Sequence, residues 1–329
     1  MPPSRASTPR VSAVIPLYNR LDLTQRCLET LRNSLPAGRP HEIVLVDDGS
    51  TDGTREWLAT QADSCRVVRN EHNLGFAAAC NRGAAAAGGD ILLLANNDLE
   101  FLSGWLEPLL EGFGRLPRAG VIGNVQLDLR TRAVDHAGIR IGVDGKPAHV
   151  RILPADSPST PGYAPMPAVT GACLAIPREL FNRLGGFDEG FRNGGEDVDF
   201  CFRARAAGLG TWTALKSSVL HHVSATPGRK ASDEENSYRL FRKWRAELER
   251  EAWRAWCEAF LAEARAGTLP RHPRAERCSD DFLQGRRPRP GRWAETNVAQ
   301  NFFKEEARWE RLLPPVANPL AAAPASRPS

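Results

Sequence analysis

Three acidic clusters punctuate the first two-thirds of this chain. Asp47-Asp48 follows the apolar run Ile43-Val44-Leu45-Val46. Asn96-Asn97-Asp98 follows Ile91-Leu92-Leu93-Leu94. Glu196-Asp197-Val198-Asp199 stands between Gly194-Gly195 and a helical stretch. Carboxylates where hydrophobic strands end are what an open α/β sheet uses to hold a ligand at its carboxyl edge. One carboxylate with amide neighbours, as at Asp98, suits a magnesium or manganese ion that substrate phosphates also bind. A carboxylate in the third cluster suits a general base. Each has a plainer explanation. Asn-Asn-Asp and Asp-Asp-Gly-Ser are good turn chemistry, and acids at a helix N-terminus are stabilised by its dipole. His221-His222, after Val219-Leu220, is as well explained by strand-end histidines as by a ligand.

Short apolar strands alternate with helices around these clusters. Val11–Ile15, Glu42–Val46, Val67-Val68, Asp90–Ala95 and Val169–Ile176 read as strands. Asp22 with Gln25 resembles a capping box, followed by Leu28, Leu31 and Leu35 at helical spacing. Gly75–Ala87 is an Ala-rich helix, Pro177 starts another, and a third runs from about Asp197 through Arg205. Strands that alternate with helices imply an α/β fold, a mostly parallel sheet flanked by helices. Residues 115–168 are less regular, with expected strands at Val121–Leu129 and Ile139–Val143. Six prolines between 147 and 167 predict an extended loop. Thr211–Ala214 and Val219–Val223 read as two short strands. From Ser232 to Ala266 the chain is charged and helical, with Leu240, Phe241, Trp244, Leu248, Trp253, Trp256 and Phe260 as its apolar stripe.

Bulk properties exclude several classes. Of 329 residues, 42% are hydrophobic and 25% charged, as in ordinary globular proteins. The net charge of +4 does not argue for nucleic acid. No segment approaches the ~18 consecutive apolar residues of a membrane span. The seven cysteines form no CxxC pair and read as reduced core thiols of a cytosolic protein. GxGxxG, GxxxxGK[ST], GxSxG and HExxH are all absent.

The segments VSAVIPLYNR (11–20), EIVLVDDGSTDGT (42–54), NLGFAAACNRG (73–83), ILLLANNDLE (91–100), TGACLAIPRELFNRLGGFDEGF (170–191), GGEDVDFCFRARAAG (194–208) and VLHHVSAT (219–226) resemble, in order, family 2 glycosyltransferases of the GT-A fold. The likeness is to the branch with many rhamnosyl- and galactofuranosyltransferases. It implies inverting transfer from a nucleoside-diphosphate sugar, UDP- or dTDP-linked, to a glycan or lipid-linked acceptor, with a divalent cation. Pro16, Tyr18, Asp48, Asn81 and Asn97 fall at its donor-binding positions. Asp98 matches the last acid of its DxD motif, with Asn96 and Asn97 in the other places, and His221 can complete the metal site. Gly171 and Ala172 fall on the acceptor side. Asp197 matches the catalytic base, with Glu196 beside it. Arg203 matches an arginine that follows these acids and can pair with them.

The expected layout is a flexible leader (1–10), a GT-A domain (11–230), a helical extension (231–284), and a basic, Pro-rich linker with a flexible tail (285–329). The expected place is the cytoplasm, with peripheral contact at the inner face of the cell membrane left open through the linker or the Trp-bearing helix. Two alternatives stand beside this reading: a sugar nucleotidyltransferase, and a catalytically silent carbohydrate-binding protein on the same fold.

Overall fold

The computed structural model describes residues 9–155, 159–222 and 232–313. The N-terminal leader up to residue 8, the end of the 219–226 motif and the Pro/Ala-rich stretch from 314 lie outside the described residues.

The sheet grows from β1 (Val11–Leu17), a β-branched run buried along its whole length. It pairs in parallel with β2 (His41–Asp47) on one side and β4 (Ile91–Ala95) on the other. β3 (Arg66–Arg69) extends the parallel set beyond β2. Beyond β4 the sheet becomes mixed. β11 (Cys173–Pro177) runs antiparallel to both β4 and β6 (Ala119–Asp128). β12 (Gly210–His221) then runs parallel to β6, and β10 (Tyr163–Pro165) closes that edge. Two short strands add to this end: β5 (Leu99–Phe101) on β12 and β7 (Val134–His136) on β6. β8 (Ile139–Ile141) and β9 (Pro147–His149) form a separate hairpin. The two short strands expected at 211–214 and 219–223 are one strand, β12, bulged between Ala214 and Ser218. The proline-rich 147–167 stretch carries β9 and β10 despite its composition.

Strand order reverses at β1, whose neighbours lead away in opposite directions. The crevice beyond the carboxyl ends of such neighbouring strands is where open α/β sheets bind ligands. Tyr18 follows β1 there, and Asn96–Asp98 follows β4.

Helices cover the sheet for local reasons. α1 (Leu21–Ser34) buries Leu23, Cys27, Leu28 and Leu31, one face at helical spacing. The expected capping box is not formed. Asp22 pairs with Arg20 at 3.2 Å, and the Leu21 N–H donates instead to Asp52 at 3.2 Å. α2 (Thr54–Ala59) follows the Gly49–Gly53 turn. α3 (Phe76–Ala86) lies close on β1 and β2 because Gly83 has no side chain; a Cβ there would collide with Val14 and Val46. α4 (Leu106–Arg115) escaped the sequence reading although Leu106 and Leu109 are fully buried. α5 (Arg178–Arg183) starts after Pro177, and α6 (Glu196–Ala206) carries the third acidic cluster.

The chain divides into two compact units, residues 1–141 with 147–236, and residues 142–146 with 237–329. In the second, α7 (Asp233–Ala266) leaves helical geometry at Trp244, and α8 (Pro273–Leu283) and α9 (Arg292–Leu312) follow. The expectation of a linker and flexible tail fails over 292–312. There Ala294, Val298, Phe302 and Trp309 recur on one helical face and are buried, with Phe302 and Trp309 each 5.2 Å from Phe241. The basic segment before α9 is also engaged. Arg286 pairs with Asp280 and Asp281, and the Arg289 guanidinium stacks 5.2 Å from the Trp253 ring.

Candidate active site

The turn after β2 builds one wall of the crevice. Asp47 Oδ1 accepts the Ser50 N–H at 2.9 Å. Gly49 takes φ of +78°, and a Cβ there would lie 2.6 Å from the His72 backbone, so only glycine fits. Asp48 is buried. Its Oδ1 accepts from Asn70 Nδ2 (2.7 Å) and Leu74 N–H (3.0 Å), and its Oδ2 from Gly75 N–H (2.9 Å). Three donors converge on it, so Asp48 holds the loop ahead of α3. Pro16 is likewise buried, paired with Val46 inside the sheet.

Asn81 is tied into the scaffold as well. Its Oδ1 accepts the Phe187 N–H at 2.8 Å, and its Nδ2 donates to Phe187 O and Glu189 Oε1, both at 2.9 Å. Both ends of the amide clamp α3 to the turn after α5. Removing it strands buried backbone groups, which costs about 1–3 kcal/mol. Asn81→Ala is therefore expected to lower unfolding stability by that amount in denaturant titration, with nucleotide affinity unchanged. Of the expected donor residues, Tyr18 (45% exposed) and Asn97 (partly buried) remain at the crevice. Asn97 is steadied by a 2.9 Å bond to Thr24 Oγ1.

At the end of β4, the Asn96 N–H donates to Ala172 O at 2.8 Å. Asp98 Oδ2 lies 3.6 Å from His221 Nε2, an ion-pair contact too long for a hydrogen bond. Asp98 Oδ1, Asn96 Oδ1 and His221 Nε2 are buried without a hydrogen-bond partner. Behind the ring, His221 Nδ1 donates to Asp135 Oδ2 at 3.1 Å. Burial opposes the imidazolium, but Asp135 and Asp98 outweigh it and raise the His221 pKa to about 9. The neighbouring His222 faces elsewhere, bonded to Glu100 at 3.1 Å. Unpaired buried polar atoms are costly unless something meets them. A carboxylate oxygen and an imidazole nitrogen together fit a divalent cation. Among the described residues no group of three or more His, Cys, Asp or Glu side chains could hold a metal alone. A bound ligand's oxygens would have to complete the shell.

Asp197 stands in the first turn of α6. Its Oδ1 accepts the Val198 N–H (2.8 Å), and its Oδ2 accepts the Gly171 N–H (2.9 Å). The carboxylate is fixed yet only partly buried. Glu196 is 4% exposed and accepts the Gly194 N–H at 2.8 Å, which shapes the turn. Gly171 is pressed between Phe76, whose ring would lie 3.0 Å from an added Cβ, and Asp197. Because Ala172 binds the Asn96 backbone and Gly171 binds Asp197, the Asn96–Asp98 turn and the Asp197 carboxylate are anchored to adjacent residues of one strand entry. Arg203 pairs with Asp199 at 2.8 Å and donates to Leu184 O. No thiol competes as nucleophile at this end. Burial pushes Cys173 and Cys201 up to about 12.

The sequence reading missed Asp135, which sits in a stretch without clear periodicity, and Phe76, read as an ordinary helix residue. The adjacent Asp135-His136 pair was the available signal.

The model of glycosyl transferase family 2 matches residues 12–185. The chain belongs to glycosyl transferase family 2. It is 35% identical over 252 residues to the O-antigen biosynthesis protein RfbC of Myxococcus xanthus, covering 72% of this chain but only 19% of that relative's length. It is 30% identical over 218 residues to the N-acetylglucosaminyl-diphospho-decaprenol L-rhamnosyltransferase of Mycobacterium tuberculosis, covering 60% of this chain and 71% of that protein. Among solved structures, GalNAc-T7 with UDP, GalNAc and Mn²⁺ aligns with a TM-score of 0.59 at 20% identity, over 78% of this chain and 52% of that one. The family 2 chain thus has the GT-A fold, with the site described above at its sheet edge.

Proposed function

We propose that this chain is an inverting glycosyltransferase that moves a sugar from a nucleoside-diphosphate sugar, UDP- or dTDP-linked, to a hydroxyl of a glycan or lipid-linked acceptor. The observation that carries the reading is the pairing, across one strand entry, of an unsatisfied Asp98–His221 site with a fixed, partly exposed Asp197. RfbC and the mycobacterial rhamnosyltransferase, by their names, support a glycan-building role and a lipid-diphosphate acceptor. The UDP and Mn²⁺ in the GalNAc-T7 structure support a cation, magnesium or manganese, which Asp98 and His221 would hold.

When bound, the cation supplies charge stabilisation for the departing diphosphate. The chain's own residues do the rest. Tyr18 and Asn97 offer contacts to the nucleotide half. The acceptor would lie beside Gly171 and Ala172, whose backbone anchors Asp197 and the Asn96–Asp98 turn. Asp197 takes the acceptor hydroxyl proton as that oxygen bonds the sugar's anomeric carbon. The bond to the diphosphate breaks on the opposite face, and its electron pair leaves with the phosphate oxygen. One displacement of this kind inverts the anomeric centre and needs no covalent nucleophile.

A sugar nucleotidyltransferase is disfavoured by the turn after β1. Asn19 and Arg20 both take positive φ, and the loop presents no glycine-rich phosphate cradle. No helix among the described residues is long and apolar enough to cross a membrane. A cytoplasmic enzyme touching the inner face of the membrane remains part of the proposal, and the engagement of Arg286 and Arg289 within their own unit weakens the basic linker as the contact.

Thermal shift with UDP-, dTDP- and GDP-sugars, with and without Mn²⁺, tests the reading. A metal-dependent rise with a UDP- or dTDP-sugar is expected. Absence of any shift with every donor would overturn it in favour of a silent fold.

A further inference from the structure

Asp135 has a place in the sheet that ordinary strand geometry does not explain. Val134 stands opposite Leu127 and His136 opposite Gln126, so Asp135 is the extra residue of a β-bulge. Bulges re-aim a side chain and are frequent beside active sites. β6 carries β7 along the stretch Gln126–Leu127, and β12 pairs with those same residues, with His221 opposite Asp128. The bulged carboxylate therefore reaches over β6 to an imidazole on the next strand. It is buried (7% exposed), and its other oxygen lies 3.7 Å from the exposed Arg151 guanidinium.

We propose that Asp135 is a positioning residue: its carboxylate takes the Nδ1–H of His221 and so leaves Nε2, facing Asp98, as the ring's free ligand atom for a divalent cation. The inference rests on the metal-dependent donor site proposed above. An imidazole can present either nitrogen, and a half-turn of the ring puts a carbon where each nitrogen stood. An ionised carboxylate only accepts, so the nitrogen it touches must be the one that donates. The other is then fixed in both direction and tautomer, the arrangement by which outer carboxylates orient metal-binding histidines. That orientation matters more here than at a site with two motif acids. Asn96 and Asn97 stand where a second carboxylate would be, so His221 must supply what they do not.

The test is Mn²⁺ affinity, read from the electron paramagnetic resonance of the free ion, with UDP or dTDP present. Wild type, Asp135→Ala, Asp135→Asn and His221→Ala are compared. Asp135→Ala is expected to weaken Mn²⁺ binding ~10- to 100-fold. Asp135→Asn, whose side-chain oxygen still accepts the Nδ1–H, should recover most of that loss. A purely structural role would lower the melting temperature without ordering the affinities this way. Wild-type affinity in Asp135→Ala beside a weakened His221→Ala would overturn the positioning role and leave the metal site standing. No Mn²⁺ binding by wild type, or none lost in His221→Ala, would overturn the donor-site reading and this inference with it. If the alanine variant does not fold, ¹⁵N spectra of the histidine rings in the metal-free wild type, recorded above pH 9 where the His221 ring is neutral, decide: a protonated Nδ1 beside a bare Nε2 is expected, and the reverse refutes the assignment.

Discussion

Asp197→Asn is expected to cut turnover by ~10²- to 10⁴-fold, the usual contribution of a positioned general base, while donor binding stays as it was. The geometry makes this a clean replacement. Asp197 is held by two backbone N–H groups, from Val198 and Gly171. The asparagine oxygen can keep one of them, so the fold loses about one hydrogen bond, on the order of 1 kcal/mol. What the amide cannot do is take a proton at neutral pH. Steady-state kinetics should therefore show the loss in kcat, with the thermal shift produced by the donor intact. Glu196 offers no substitute. It is buried under the Gly194–Gly195 turn, and Glu196→Gln should act on stability before it acts on chemistry. Full activity in Asp197→Asn would remove the base assignment.

The strands and helices around the acidic clusters were legible because their signals are local. An apolar run ended by Asp or Asn reads as a buried strand reaching a sheet edge, and the runs that end β2 and β4 are that. The mixed half of the sheet was harder. β11 runs antiparallel between two strands distant in sequence, and no local pattern encodes direction. α9 was lost because the Pro/Arg-rich segment ahead of it masked the apolar face of Ala294, Val298, Phe302 and Trp309. At the site, residue type was a better guide than role. Asp98 follows β4, His221 ends β12 and Asp197 opens α6, and the roles their motifs imply stay part of the proposal. Pro16, Asp48 and Asn81 sit in matching motifs but spend themselves on the scaffold. A motif position fixes where a side chain starts, while its partners, 22 to 108 residues away for Asp48 and Asn81, decide where it ends. Asp135 shows the converse, since a bulge brings to the site a carboxylate that strand alternation alone would not have placed there.

Asp98→Ala should separate the donor half of the site from the chemical half. A ligand at ~100 times its Kd stabilises the folded state by about 2.7 kcal/mol, which for a domain of this size is a rise of roughly 5–10 °C in Tm. If Asp98 and His221 hold the cation that meets the diphosphate, that rise should require Mn²⁺ in the wild type and vanish in Asp98→Ala. Alanine is the right replacement because asparagine would still offer an oxygen to the metal. The free variant should itself remain folded. Asp98 Oδ1 has no hydrogen-bond partner to lose, and His221 keeps its bond to Asp135. Read together, the two variants cross: Asp197→Asn keeps the metal-dependent shift and loses turnover, whereas Asp98→Ala loses the shift and turnover with it. An undiminished shift in Asp98→Ala would place the cation elsewhere and break the link between the unsatisfied atoms at the end of β4 and the donor diphosphate.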